Sequence, residues 1–381
     1  MNIITTEKIP IKIWVDELDA ETLQQARDLA NLPHAFKWIA IMPDAHPGYG
    51  MPIGGVLATK EIIVPNAVGV DIGCGMRAVK TSLTEIDEET LKKITGEIRR
   101  VIPVGFRHHT QEQSWSGFAE APKIETIQNE LRNAMFQIGT LGGGNHFVEI
   151  QRGDDGHIWI MVHSGSRNFG FKTAGYYNRK AVEYCKENHL ELPSKDLAYL
   201  PFESEIGQEY FGAMNYCQNF ARGNRELMME STVRVFEDVT SCGFEPAIDI
   251  HHNFASVEEH FGEKVIVHRK GATQAFKGMR GIIPGSMGTP SYITEGLGNE
   301  ESFSSCAHGA GRILGRQEAI RTLDLEEEQR KMEGILGGPR GRRELQEAPG
   351  AYKNIDEVMQ NQRDLVKILV KLSPLSVIIG T

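Results

Sequence analysis

The chain has 381 residues, 40% of them hydrophobic, enough for a sizeable core in one large domain or two ordinary ones. A mean hydropathy of -0.31 and the lack of a long apolar run argue against a membrane span. A net charge of -10 argues against a general nucleic-acid coat but leaves room for a local basic groove. Residues 1–10 lack the basic-then-apolar order of a signal peptide. The five cysteines, at 74, 185, 217, 242 and 306, show no paired spacing. A reducing, cytoplasmic setting follows, with free thiols or a metal ligand rather than a disulfide framework.

Residues 3–14 alternate weakly and read as a strand, and 20–30 as a short helix with Leu23, Ala26 and Ala30 on one face. An apolar strand at 39–42 runs into a Pro/Gly-rich loop carrying Asp44 and His46. Asp44 offers a general acid or base, or a turn-stabilising carboxylate; His46 offers a ligand, or a hydrogen-bonded loop imidazole. Strands predicted at 54–59 and 61–64 lead into Gly69-Val70-Asp71-Ile72-Gly73-Cys74-Gly75-Met76. There a carboxylate and a thiol stand three residues apart among glycines. The pair suits a borderline divalent ion such as Mn, Fe or Zn, and a thiolate can bridge two ions. Taken alone, the stretch reads as a tight turn with a small buried thiol.

Helices are predicted at 87–101, capped by Asp87, and at 124–138, with a polar loop at 107–123 between them. Gly142-Gly143-Gly144-Asn145-His146 precedes a strand whose His146, Val148 and Ile150 face one way and Phe147 and Glu149 the other. A glycine run in that position can lay backbone N–H groups against a phosphate. The apolar strand 158–162 ends in His163-Ser164-Gly165-Ser166-Arg167, making His163 a ligand candidate and Arg167 a phosphate clamp, because a rigid element aims them. Helices follow at 171–188 and 205–239. In the second, Ile206, Tyr210, Met214, Cys217 and Ala221 form a core stripe, so Cys217 is structural, as are Cys185 and Cys242.

A strand at 247–250 leads to His251-His252-Asn253, of which one ring would face a site. A strand at 265–267 leads to His268-Arg269-Lys270-Gly271, whose cations would meet either phosphate or solvent. The loop 282–292, with Pro284, Gly285, Ser286, Met287 and Ser291, suits a nucleotide or is a plain turn. His308 stands among Ala307, Gly309, Ala310 and Gly311, at the predicted start of a helix through 320, with the clearance an approaching phosphorus atom needs. A charge-dense segment at 323–347, a helix at 356–372 and a strand at 375–379 close the chain. Strands and helices mix without regular alternation, which predicts an α+β fold: one domain over 1–381 built on mixed β-sheets, with helical insertions at about 171–240 and 313–372.

Asp71, Cys74, His146, His163 and one of His251 or His252 make a set that could serve two metal ions. Glycine-rich loops and the uncrowded His308 add phosphate cradles and a spare nucleophile, a combination that fits phosphoryl or nucleotidyl transfer.

The chain resembles the RtcB family of RNA-splicing ligases along nearly its whole length. The resemblance is carried by Met42 to Gly50, Gly69 to Met76, Gly142 to Glu149, His163 to Arg167, His252-Asn253, His268 to Thr273, Pro284 to Tyr292 and His308 to Arg312. It implies a GTP- and Mn2+-dependent ligase that joins an RNA 3′-phosphate, or a 2′,3′-cyclic phosphate opened first by water, to a 5′-hydroxyl. By that analogy His308 becomes guanylylated and Asp44 is the family's catalytic Asp. Cys74 touches two Mn2+ ions, with Asp71, His146, His163 and His252 completing their shells; the family motif places the ligand directly before the Asn, which selects His252. Asn145, His146, Phe147, Val148, Glu149, His252, Asn253, Pro284, Gly285, Ser286, Met287, Ser291, His308, Gly309, Ala310 and Gly311 would hold guanylate, and Arg167, Lys270 and Arg312 would contact phosphate or RNA. An archease-like activator or a release-factor-like repair partner is compatible with it. The family usually ends in Lys-Gly, whereas Ile379 stands here in the place of the Lys. That departure bears on nucleotide use and points to a repair-specialised paralogue. Two alternatives remain beside the ligase: a metal-dependent cyclic-phosphate phosphodiesterase, and a non-catalytic RNA- or ribosome-associated subunit.

Overall fold

A computed structural model describes residues 1–380. Two large sheets organise it, and the fold is α+β as expected. One sheet runs in the order β1 (Asn2–Ile4), β2 (Ile11–Ile13), β3 (Ala35–His46), β4 (Ile53–Thr59), β12 (Glu263–Lys270), β11 (Asn253–His260). The other runs β10 (Ile248–His251), β6 (Gly75–Lys80), β8 (Ile158–Ser164), β7 (Phe147–Gly153), β17 (Val366–Ile379), β15 (Ser291–Gly296), β14 (Arg280–Ile283). Two small pairs complete the strands: β13 (Ala272–Gln274) with β16 (Ser305–Ala307), and β5 (Ile62–Ile63) with β9 (Leu200–Pro201). The pairing of β2 with β3 is parallel; the other strand pairs are antiparallel.

The helices are α1 (Ala20–Ala30), α2 (Glu88–Val101), α3 (Glu125–Gln137), α4 (Arg167–Glu187), α5 (Glu205–Thr240), α6 (Arg316–Thr322), α7 (Leu325–Lys331) and α8 (Ile355–Asn361). The 36 residues of α5, about 54 Å at 1.5 Å per residue, make it the spine of the molecule. Ser204 caps its start by accepting from Gly207 N, and a left-handed Ser241 ends it. Its first half sends Tyr210, Met214 and Cys217 into a core shared with α1, α3, α4 and the six-stranded sheet. Its second half sends Met228, Met229 and Phe236 into a core shared with α2 and the seven-stranded sheet. The predicted stripe is therefore real, and Cys217 lies buried on it. Among the described residues no helix is long and apolar enough to cross a membrane.

Several predicted boundaries change. Residues 3–14 split into β1 and β2. β3 continues through His46, so Asp44 and His46 sit on a strand and not in a loop. The expected helix at 356–372 shrinks to α8, and from Val366 the chain is the 14-residue β17, bonded on both sides by β15 and β7. Spaced apolar residues at 365–372 satisfy a helical pattern too, but two open strand edges decide the outcome. His308 follows β16 in a turn, and the next helix waits until Arg316.

The fold places the site by one arrangement. Four neighbouring strands of the larger sheet stop at the same edge: His251 of β10 pairs with Gly75 of β6, Gly75 with Ser164 of β8, and His163 with Phe147 of β7. The chain then crosses between sheets in a single residue. His251 belongs to the seven-stranded sheet, Asn253 pairs with Lys270 in the six-stranded one, and His252 stands at the crossing.

Candidate metal and nucleotide site

The turn 71–75 is braced before any ligand is considered. Asn253 Nδ2 donates to Asp71 O at 3.1 Å, Asn253 O accepts from Gly73 N at 2.8 Å, and His252 N donates to Cys74 O at 2.9 Å. Arg225, fully buried on α5, donates to Gly73 O at 3.0 Å and Ser164 O at 3.1 Å while its other nitrogens grip Asp249. Arg225 was not singled out from the sequence, since one Arg on an amphipathic helix carries no signal of what lies beyond its tip. Gly165 sits where a Cβ would run into the Asp71 carboxylate, so the backbone of the His163 loop can approach closely only without a side chain.

Onto this frame the ligand candidates converge. Cys74 Sγ lies 3.3 Å from His146 Nε2 and 3.3 Å from His163 Nε2. His146 Nε2 is 3.1 Å from Asp71 Oδ2, and His163 Nε2 is 3.4 Å from His252 Nε2. Two triads result, Asp71–Cys74–His146 and Cys74–His163–His252, each with its donor atoms within 4.8 Å of one another and both sharing Cys74. The far ring nitrogens are tied to carbonyls: His146 Nδ1 donates to Leu141 O and His163 Nδ1 to Asn145 O, both at 3.0 Å, which leaves the neutral His163 with its Nε2 lone pair facing the thiol, while His146 Nε2 also meets the Asp71 carboxylate. His251, the other member of the pair, turns its Nδ1 to Gly73 O at 2.9 Å on the opposite side.

Burial holds the His163 and His252 imidazoles well below their usual range, helped by the neighbouring histidines, so both are neutral. Burial and the Asp71 charge push the Cys74 thiol well up. Burial works against the Asp71 carboxylate, but the bond and charge of His146, with Arg167 behind, hold it below its ordinary value. A cation taking up the thiolate would relieve this crowding of one buried thiol against one carboxylate. The donor set of one sulfur, one carboxylate and three imidazoles fits a borderline divalent ion.

Beside His252, at 4.8 Å between ring centroids, stands His308. Its Nδ1 donates to Asp44 Oδ2 at 2.6 Å, and the same oxygen accepts from His308 N at 3.1 Å and Gly309 N at 3.3 Å. Asp44 is fully buried, so the carboxylate is dedicated to this turn. Gly311 closes the turn at φ +74, with its α-carbon packed on the Asp44 carbonyl where a Cβ has no space. His308 Nε2 is thereby left facing the cleft. Lys353, also missed from the sequence, donates to Ala45 O at 2.5 Å and Pro43 O at 3.3 Å and faces the same cleft.

The cleft holds about 1360 Å³. Of the predicted residues, Asp71, Cys74, Asn145, His146, Phe147, Glu149, His163, His252, Asn253, Pro284 to Met287 and His308 to Arg312 line it. Others take different positions. Val148 points into the core beneath β7. Ser291 lies under the 284–287 loop, accepting from Gly285 N at 3.2 Å and Gln151 Nε2 at 3.1 Å. Arg167 starts α4 with a left-handed φ of 54 and donates to Thr140 Oγ1 at 3.3 Å, close enough to Asp71 and Cys74 for its charge to act on both. Lys270 turns away and gives its ammonium to Tyr49 O at 2.6 Å and Asn66 O at 3.1 Å. Arg312 faces the cleft but spends its guanidinium on Glu347, Tyr352 and the Gln346 and Leu314 carbonyls. Burial raises the Glu149 carboxyl to about 8, so it enters the cleft as an acid able to donate a hydrogen bond at neutral pH. Ile379 pairs with Phe147 at the end of β17 and its side chain also lines the cleft.

Fold and site together define an α+β protein with two candidate metal triads joined at one thiol and a carboxylate-held imidazole beside them. The chain matches the family described as tRNA-splicing ligase RtcB over residues 25–130 and 109–380. It is 38% identical to the RNA-splicing ligase RtcB of Escherichia coli K12, over 97% of each chain. It is 32% identical to the tRNA-splicing ligase RtcB of Pyrobaculum aerophilum, over 98% of this chain and 95% of that one. It is also 32% identical to the RNA-splicing ligase RtcB of Mycobacterium tuberculosis, over 93% of this chain and all of that one. The chain belongs to the RtcB family.

Proposed function

We propose that this protein is a GTP- and Mn2+-dependent RNA ligase that joins a 3′-phosphate end to a 5′-hydroxyl end through a guanylylated His308. The observation that carries the reading is the Asp44–His308 pair: a buried carboxylate fixes the proton on Nδ1 and turns the Nε2 lone pair toward a cleft whose adjoining wall is the row of metal-ligand candidates. Family membership, with relatives named as RNA-splicing ligases, supports the substrate class.

In the first step the His308 Nε2 lone pair attacks the α-phosphorus of GTP. A P–N bond forms, the bond from that phosphorus to the bridging oxygen breaks, and pyrophosphate leaves with the electron pair. Asp44 holds the Nδ1 proton and stabilises the positive charge that grows on the ring. In the second step an oxygen of the RNA 3′-phosphate attacks the same phosphorus, the P–N bond breaks, and neutral His308 is restored. In the third the RNA 5′-hydroxyl attacks the 3′-phosphate phosphorus, its proton passes to solvent or a site base, and GMP leaves. A cyclic phosphate end is hydrolysed to the 3′-phosphate before it enters this sequence. Divalent ions held by Asp71, Cys74, His146, His163 and His252 supply neutralisation of phosphate charge. Protonated Glu149 and the 284–287 loop suit the guanylate, the acid by donating a hydrogen bond and the loop by its rigid tie to Ser291.

The test is incubation with Mn2+ and α-labelled GTP. Wild type should acquire an acid-labile label that His308→Ala does not, and chasing with RNA bearing a 2′,3′-cyclic phosphate and a 5′-hydroxyl should yield sealed product. Absence of label on the wild type sinks the ligase reading. Ile379 in the cleft favours a second reading, hydrolysis of cyclic phosphate without guanylylation; a 3′-phosphate product formed with no label and no sealing would establish it.

A further inference from the structure

Exposed apolar side chains collect at the mouth of the cleft. Phe106 is 100% exposed and Phe171 is 61% exposed, and both border the cleft. Neither ring serves a core, and each is followed in sequence by an exposed cation, Arg107 and Lys172. The two belong to different elements, a loop after α2 and the second turn of α4, yet both elements reach one point, Gly142, which accepts from Gly105 N and packs against the Arg167 guanidinium. Arg167 lies one turn before Phe171, and its charge acts on His108, two residues past Phe106.

That point lies at the far end of the metal-ligand row. From His308 the row runs to His252 at 4.8 Å, His163 at 5.1 Å and His146 at 5.2 Å between successive ring centroids, and ends at Asp71, 3.1 Å from His146 Nε2. Arg167 stands behind Asp71; apart from the bond to Thr140, its guanidinium has no hydrogen bond among the described residues. Toward the His308 end the character is the reverse: Glu17, Asp19 and Glu21, all exposed, border the cleft, and Asp19 is close enough to Lys353 for its charge to act there. A polyanion approaching the cleft is repelled by this acidic border and met by aromatic rings and cations at the far end.

We infer that the RNA strand carrying the reacting end enters unpaired over this aromatic lip, with its last bases splayed onto Phe106 and Phe171, and Arg107 and Lys172 on the phosphates between. Aromatic rings alternating with cations are how proteins hold single strands without reading sequence, because every base has a face to stack while a duplex hides its faces. The strand's terminal phosphate then enters the row from the Asp71 end and advances along it to the phosphorus carried at the His308 end. A blunt duplex end cannot offer its bases to the rings, so the surface selects ends with unpaired overhangs. The inference rests on the RNA-joining reading above.

Binding, measured without turnover, tests it separately from that reading. A 3′-phosphorylated RNA carrying 2-aminopurine at its last two positions is titrated with full-length protein, once as a single strand and once as a blunt duplex. Wild type should bind the single strand more tightly, with a fluorescence change that reports stacking. The double variant Phe106→Ala/Phe171→Ala should weaken single-strand binding by at least about tenfold and lose that change, whereas Phe106→Trp/Phe171→Trp should restore both. Arg107→Glu/Lys172→Glu should flatten the salt dependence of binding. Both phenylalanines are exposed, so unchanged thermal melting is the folding control. Equal affinity of wild type for the two forms overturns the inference, as does unchanged single-strand binding by the double alanine variant, which would leave the rings to a protein partner. Failure of His308 labelling leaves these binding results standing and sinks the ligase reading instead.

Discussion

Asp44 Oδ2 accepts three hydrogen bonds from the His308 turn, and one of them decides the chemistry. With Nδ1–H committed to the carboxylate, Nε2 carries the lone pair. Asp44→Asn keeps the shape and puts its amide oxygen where the three N–H groups converge, but it removes the negative charge that would stabilise the imidazolium formed as His308 attacks. Labelling by GTP should then fall by about 10^2 to 10^4 in single-turnover rate, with nucleotide binding much less affected. A loss confined to GTP affinity, with the rate at saturation intact, would contradict the positioning role of Asp44. Apart from the family resemblance, which implied a role for both, Asp44 carried in the sequence the ambiguity of any loop Asp, and His308 the smallness of its neighbours. What joins them is a turn separated from Asp44 by more than 260 residues, and separation of that kind leaves no mark in composition or period. Lys353 and Arg225 were invisible for the same reason: each reaches its carbonyls across the fold.

At the scale of the element, β12 shows how a strand distributes a run of like residues. His268, Arg269 and Lys270 read together as a basic patch, but the pleat sends them apart. His268 Nε2 accepts from Val64 N at 3.0 Å inside the core, Lys270 caps two carbonyls, and Arg269 is fully buried against Glu258 of β11 at 2.5 Å. Removing one partner of such a pair leaves an uncompensated buried charge, so Arg269→Ala should cost about 3–5 kcal/mol of stability, read by chemical denaturation. Burial acts to raise the Glu258 carboxyl, but Arg269 and His260 outweigh it and hold it well below 4.5. A carboxylate depressed in the folded state contributes stability above its unfolded value and loses it as pH falls. The wild-type advantage over Arg269→Ala should therefore be full near neutrality and shrink below about pH 4.5; an advantage that grows on acidification would refute the pairing. Two helices were legible from local signals, α1 from the shared face of Leu23, Ala26 and Ala30 and α2 from its Asp87 cap. β17 was not, because a strand bonded on both edges need not alternate and its partners come from elsewhere in the chain.

The molecule as a whole is two sheets that meet where their strands end, and the candidate metal centre is at that meeting. Asp71 and Cys74 precede β6, His146 precedes β7, His163 ends β8, and His252 stands on the one-residue crossing from β10 to β11. The ligand types were readable one by one because Asp, Cys and His at strand ends beside glycines are conspicuous. That they could form one set was readable as a possibility, and the family resemblance implied a shared centre, but the convergence itself depends on four strand registers and on the crossing. A unfolded chain scatters these donors over some 180 residues, so an ion that binds the assembled set binds the folded state alone. Folding stability must then rise with free metal as the logarithm of its concentration: about 4 kcal/mol at a thousandfold excess over Kd, or several degrees in Tm for a chain of this size. Mn2+ added to chelator-treated protein should raise Tm progressively. Cys74→Ala removes the one atom common to both triads, and should abolish the rise together with two-ion stoichiometry measured by elemental analysis. His251→Ala, which alters the imidazole on the far side of the same crossing, should lower Tm but keep the metal response, because that ring holds Gly73 O and not the thiol cluster. If Cys74→Ala retained the full response and His251→Ala lost it, the centre would lie on the other face of the crossing and the assignment of His252 would fail.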